Sequence, residues 1–145
     1  MSLQPDLRPI NSKEYVLYED FIHEWKESSG QWCRQITYSR YVTDIASVPS
    51  ICAILGYKPD GLHRKAALGH DRRYQKMGFM TGDDILGPYE EFDPSVNRWV
   101  PKDRKFTREQ CDLMFEQDML EMGEDPHKAL NMFRAVRAFG AMAWK

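Results

Sequence analysis

The chain lacks any apolar run long enough to cross a bilayer, since nothing in it approaches eighteen consecutive uncharged apolar residues. Its first residues, Met1-Ser2-Leu3-Gln4-Pro5-Asp6, have neither the basic start nor the apolar stretch of a secretory leader. A protein without an export signal of its own is therefore expected. There are only three cysteines, Cys33, Cys52 and Cys111, and no C-x-x-C pair, which excludes a disulfide framework and a zinc ribbon. An excess of one charge is also missing. The formal net charge is -2, with Lys, Arg, Asp and Glu interspersed, so no basic field of the kind that dominates nucleic-acid affinity exists, and nucleic acid is not the default partner. No repeat and no low-complexity tract occurs. The 145 residues suffice for one domain with a real core.

What is present begins with a polar, proline-bearing segment, residues 1–13, read as an arm that a partner would order. From Glu14 to Lys26 the aromatic and β-branched residues alternate in part, and after the turn cluster Glu27-Ser28-Ser29-Gly30 a second alternating run extends from Trp32 to Tyr38. The two runs predict an antiparallel β-hairpin. Val42 to Pro49 reads as a loop closed by proline, and a short helical piece follows at Ser50 to Leu55. After the turn signal Lys58-Pro59-Asp60-Gly61, a helix is expected from Leu62 to Met77, with Gly78 as its left-handed cap. Its small residues Ala66, Ala67 and Gly69 would admit another backbone closely. Residues 79–106 are punctuated by Gly82, Gly87, Pro88, Pro94 and Pro101 and read as an inserted loop with at most a short hairpin around Asn97–Trp99. Thr107-Arg108-Glu109-Gln110 is a capping box opening a helix that runs to Gly123. Asp125-Pro126 restarts the chain, and Ala129, Met132, Phe133, Val136, Phe139 and Ala143 give the apolar face of a last helix. The expected fold is α+β: one N-terminal antiparallel hairpin, then three main helices, with residues 14–145 as a single domain.

The chemistry concentrates in Ala66-Ala67-Leu68-Gly69-His70-Asp71-Arg72-Arg73-Tyr74. Four residues separate His70 from Tyr74 and three separate Asp71 from Tyr74, so one helical turn carries an imidazole, a carboxylate and a phenol toward one side. Upstream lies Thr43-Asp44-Ile45-Ala46-Ser47-Val48-Pro49, and downstream a helix bearing Asp112, Phe115 and Asp118. Histidine is the side chain that titrates near neutrality and so suits a general base. Asp71 and Asp44, with the carbonyls of residues 42–47, are a possible oxygen set for weak calcium binding. The alternatives stay open. His70-Asp71 serves equally as a hydrogen-bonded pair that holds the upstream loop, Asp44 as a carboxylate capping backbone amides, Asp112 as a first-turn acid favoured by the helix dipole, and Tyr74 as core. An HD-type phosphohydrolase using His63 is disfavoured, because seven residues is too short a gap to His70. Arg72, Arg73, Arg134 and Arg137 offer contacts to a phosphate head group or a salt-bridged face, and the methionines read as adaptable core.

Four blocks in order, T-D-x-A-S-V-P at residues 43–49, A-A-x-x-H-D-x-x-Y at 66–74, D-x-x-F at 112–115 and M-F-x-A-V-R-x-x-G at 132–140, resemble a bacteriophage and prophage family of unknown function. The H-D-x-x-Y block followed by a helix with D-x-x-F is also similar to the catalytic core of phospholipase A2 enzymes of the parvoviral and prokaryotic type. That resemblance implies two antiparallel helices, His70 as general base, Asp112 as its orienter, Tyr74 as a tie onto a carboxylate, and Asp71 as a calcium ligand. The upstream loop has no glycine, unlike the calcium loop of those enzymes. The reading taken first is therefore a phage virion or accessory protein that binds other phage structural proteins, or itself, through a retained His/Asp cluster. The alternative is an active calcium-dependent esterase acting on membrane phospholipid during phage entry or exit.

Overall fold

A computed structural model describes residues 4–11, 14–44 and 64–144. Among them the chain builds three antiparallel sheets and three α-helices. Strands β1 (Leu7–Pro9), β2 (Glu14–Leu17) and β5 (Val42–Asp44) form one sheet in the order β1-β2-β5. The largest sheet has the order β3-β4-β7-β8, from β3 (Phe21–Lys26), β4 (Trp32–Thr37), β7 (Tyr89–Asp93) and β8 (Arg98–Pro101). A two-stranded ribbon joins β6 (Phe79–Met80) to β9 (Arg104–Lys105). The helices are α1 (Arg64–Tyr74), α2 (Arg108–Glu121) and α3 (Pro126–Phe139), with a 3-10 turn at Gly140–Ala143.

This overturns the expected α+β fold of one N-terminal hairpin and a phospholipase-A2-like helical core. The fold is β-rich, and its helices come mostly late in the chain. The hairpin between β3 and β4 exists, in register from Phe21↔Thr37 to Lys26↔Trp32. Glu14–Leu17, however, belongs to another sheet, where it pairs with Leu7–Pro9 from the expected arm and with Val42–Asp44 from the expected loop. Residues 79–106 are not a looped-out excursion, since they supply four strands, two of which complete the main sheet. Proline conceals them from a sequence reading: Pro101 ends β8, while Pro88 and Pro94 flank β7, positions where the absent N–H costs no interior ladder bond. The β7-β8 turn is closed by Asn97 at φ 52° and by an edge-on contact of Phe92 with Trp99 across the strands, ring centroids 5.6 Å apart.

Helix α1 is the centre of the molecule. Ala66 and Ala67 pack with Phe115 and Met119 of α2 and Ala129, Met132, Ala135 and Val136 of α3. Leu68 lies instead with Leu17, Phe21 and Tyr41, and Tyr74 with Trp25, Cys33, Tyr89 and Phe106. Every residue from Ala66 to Tyr74 is buried. Lys65, near the start of α1, pairs with Glu121 at the end of α2, whereas Tyr74 at the end of α1 bonds Asp112 near the start of α2, so these helices run antiparallel. The helix ends at Tyr74 rather than Met77, and Met77 (φ 53°) and Gly78 (φ 78°) both turn left-handed. A Cβ on Gly78 would lie 1.9 Å from the Phe106 carbonyl oxygen, so the position demands glycine for space as well as for φ. The capping box at Thr107 is formed, the Thr107 hydroxyl accepting from Gln110 N at 3.1 Å and Gln110 Oε1 from Thr107 N at 2.8 Å. On α3, Phe139 departs from its expected apolar face and is exposed.

Candidate active site

A helix buried on all sides with the sequence His-Asp-Arg-Arg-Tyr at its C-terminal half must find partners for each polar group or lose several kcal/mol per orphan. Each side chain therefore reaches a different neighbour. His70 Nε2 lies 3.1 Å from Asp112 Oδ1. The Tyr74 hydroxyl donates a short hydrogen bond to the same oxygen. The other carboxylate oxygen of Asp112 accepts from Arg137 Nη1 at 2.9 Å, with Arg108 Nη1 at 3.7 Å. Asp71 Oδ2 accepts the Tyr41 hydroxyl at 2.6 Å. Arg72 donates to the carbonyls of Gly87 (3.0 Å) and Ile36 (3.3 Å) and lies 3.6 Å from Asp84, which stitches the helix to the main sheet. Arg73 Nη1 reaches Asp118 Oδ2 at 3.4 Å, and the other oxygen of Asp118 meets His23 Nε2 at 3.0 Å.

Two His–Asp pairs thus share helix α2, His70–Asp112 and His23–Asp118. In both, burial is the largest influence on the imidazole and pushes its pKa below 6.5, so each ring is neutral at pH 7. Burial pushes both carboxyls up, but their partners outweigh it: His70 and Tyr74 at Asp112, His23 and Arg73 at Asp118, leaving both below 3.8 and ionised. An ionised aspartate on Nε2 fixes the tautomer with the proton on Nε2 and the lone pair on Nδ1. His70 and Asp112 are 0% exposed, and His70 Nδ1 has no hydrogen-bond partner among the described residues. The His70 ring stacks at a tilt on Tyr74 (4.0 Å) and Phe115 (4.8 Å), which holds its plane.

The structure thus brings together His70, Asp112 and Tyr74, while Asp71 turns to Tyr41 on a separate element. Asp44 ends β5 opposite Glu14, and its side chain is outside the described residues, as are residues 45–49, the expected helical piece at 50–55 and His63. The Asp44 side chain and the carbonyls of residues 45–47, expected with Asp71 as calcium ligands, lie outside the described residues. Asp71 Oδ2 is taken by Tyr41, the Arg72 guanidinium lies over the Tyr41 ring, and no group of three His, Cys, Asp or Glu donors among the described residues includes Asp71. One such group does occur elsewhere, Glu27, Cys33 and Glu91, but Arg104 already pairs with both carboxylates at 2.8 and 2.9 Å. Arg72 and Arg73 are not a solvated face for a head group, being buried in internal ion pairs, and Arg137 closes over Asp112.

Sequence reasoning missed His23, Tyr41 and Asp84. For His23 a signal existed: Phe21, His23 and Trp25 alternate with Ile22, Glu24 and Lys26, and the first set is the buried one. Gly69, expected to admit a neighbouring backbone, admits this ring instead, since a Cβ there would lie 2.5 Å from His23 Cε1.

Fold and site together define a β-rich domain threaded by a buried polar helix, with a His–Asp pair at its heart. The chain belongs to DUF1353, a family of proteins of unknown function, whose model matches residues 17–136. No curated protein and no solved structure matches the chain. Among the described residues no helix is long and apolar enough to cross a membrane.

Proposed function

We propose that this chain is a phage-encoded hydrolase in which His70 is the general base, oriented by Asp112, and that carboxylic esters of phospholipids are its substrate class. One observation carries the reading: a fully buried, neutral imidazole whose Nε2 is anchored on an ionised aspartate while its Nδ1 stands without a partner among the described residues. Most buried polar side-chain atoms are paired, because an orphaned one costs about 1–3 kcal/mol. The substrate class rests on the likeness of the H-D-x-x-Y and D-x-x-F blocks to phospholipase A2 enzymes.

In this scheme Nδ1 takes a proton from water as the water oxygen attacks the ester carbonyl. Asp112 stays ionised and stabilises the imidazolium, and the proton returns to the leaving alcohol, giving a carboxylic acid and an alcohol. Tyr74 and Arg137 hold the carboxylate in place. General-base assistance of this kind is worth roughly 10²- to 10⁴-fold. With His70 wholly buried, ester reaches Nδ1 only when the layer above it opens. No step runs through calcium.

The test is release of fatty acid from mixed phospholipid vesicles by wild type and His70→Gln, each with millimolar calcium and with excess chelator. Loss of hydrolysis in a folded His70→Gln protein supports the base. Equal activity in both proteins, or none in wild type, overturns it.

A second reading is favoured by the complete burial of His70 and Asp112 under Arg137. Here the cluster is a brace, and the protein is a virion or accessory component whose outer surface binds other phage proteins or a second copy. It predicts no hydrolysis and a loss of about 1–3 kcal/mol in His70→Gln.

A further inference from the structure

Among the described strands, β1 and β8 each lie at a sheet edge and end in proline, Pro9 and Pro101, which has no N–H to offer an incoming chain. β3, the opposite edge of the main sheet, has no such guard. It runs six residues, Phe21–Lys26, without proline or glycine and in unbroken register with β4. The hairpin is closed by Glu27 N donating to Gln31 O, and Ile36 N donates to Pro88 O on the far side of β4. The pairs that exchange hydrogen bonds across β3 and β4 are therefore Phe21↔Thr37, His23↔Gln35 and Trp25↔Cys33. The N–H and C=O groups of Ile22, Glu24 and Lys26 point the other way, away from β4, and have no partner among the described residues.

A row of outward donors and acceptors is a template for another extended chain, and the side chains beside it decide which one. Glu24 and Lys26 are exposed and have no ion pair among the described residues, Arg34 opposite Glu24 being taken by Glu90 at 2.6 Å. On an antiparallel partner, an acid is favoured opposite Lys26, a base opposite Glu24 two residues further on, and an apolar residue opposite Ile22. The space beside Lys26 is open and is bounded by Leu113 and Met114 of α2, which suits one chain segment better than a second sheet and so favours a peptide over another copy of this protein. We infer that β3 accepts an added strand from a partner protein, an extended segment that reads acid-x-base-x-apolar from its N-terminus, runs antiparallel to β3 and bonds the backbone of Ile22, Glu24 and Lys26. The surface uses none of the His70 cluster, so it stands or falls apart from the hydrolase reading.

The probe is the blocked peptide acetyl-T-E-V-K-V-V-T-amide, with acetyl-T-K-V-E-V-V-T-amide as its charge-swapped control, each titrated into the full chain labelled with nitrogen-15. The amide resonances of Ile22, Glu24 and Lys26 are expected to shift saturably and to slow in hydrogen exchange, while those of Phe21, His23 and Trp25, already bonded to β4, move less. The control peptide is expected to bind about tenfold more weakly, because both cross-strand charge pairs become repulsive. In the double variant Glu24→Lys, Lys26→Glu, altered only at exposed positions, the preference between the two peptides is expected to reverse. No saturable shift at those three amides, equal affinity for the two peptides, or an unchanged preference in the double variant would each overturn the inference. Protection of the same amides by a concentration-dependent dimer, without peptide, would overturn it in favour of a second copy.

Discussion

Replacing Asp112 by asparagine isolates the charge at the centre of the buried polar layer, because it keeps the shape of the side chain. In the native protein one carboxylate oxygen receives His70 Nε2 and Tyr74, and the other receives Arg137 at 2.9 Å. Asparagine can accept on one side only. With its oxygen toward His70 and Tyr74, the amide NH₂ faces the Arg137 guanidinium, donor against donor. Removing one partner of a fully buried ion pair costs about 3–5 kcal/mol. Arg137 is 31% exposed, so water rehydrates part of its charge and the cost falls, whereas two hydrogen bonds that lose a charged acceptor add to it. The expected loss is about 2–4 kcal/mol at pH 7, or roughly 6–12 °C in Tm for a domain of this size. Urea melts read against Glu116→Gln, a neutralisation away from the cluster expected to stay within about 0.5 kcal/mol, measure it directly. The Asp112→Asn, Arg137→Met cycle should recover part of the loss as coupling. A drop under about 1 kcal/mol would show that Asp112 is not the electrostatic hub, and both functional readings would lose their anchor.

The remaining expectations are independent of that variant. His23 and His70 have folded-state pKa values below the ordinary 6.5, so the unfolded chain binds more protons in that window; their stabilisation is full above about pH 6.5 and is lost as pH falls below it. Melts from pH 8 to 5 should show it, and a flat profile would mean the rings are not buried neutral. Gly78→Ala should cost more than about 3 kcal/mol, because left-handed strain adds to the collision with Phe106, while Gly123→Ala, at φ 91° with open space, should cost only about 1 kcal/mol. Equal losses in the two would refute the close approach. Burial pushes the Cys111 thiol up to about 12 and Cys33 up to about 11, so a thiol reagent at pH 8 should label both only as the protein unfolds. Prompt labelling of either would contradict its burial.

Local signals in the sequence sufficed wherever structure is decided within a few residues. The capping box at Thr107, the proline-started helix at Pro126, the β3-β4 hairpin and the left-handed Gly78 all follow from side chains acting on their own backbone. The helical spacing of His70 and Tyr74, with Asp112 on the next helix, was legible for the same reason, and those groups do meet. What the sequence could not determine is pairing at a distance. Whether Leu7–Pro9 is an arm or a strand depends on Glu14–Leu17 offering an unpaired edge, and whether 79–106 is a loop or half a sheet depends on β4 offering one. Strand identity is a property of the pair, and short strands ended by proline carry little propensity of their own. The partners of the polar helix were settled in the same way. Asp71 turns to Tyr41 beside β5, Arg73 to Asp118 on α2, and His23 of β3 to the space above Gly69, because a buried polar group must take the nearest complementary group that the fold brings to its own side of α1.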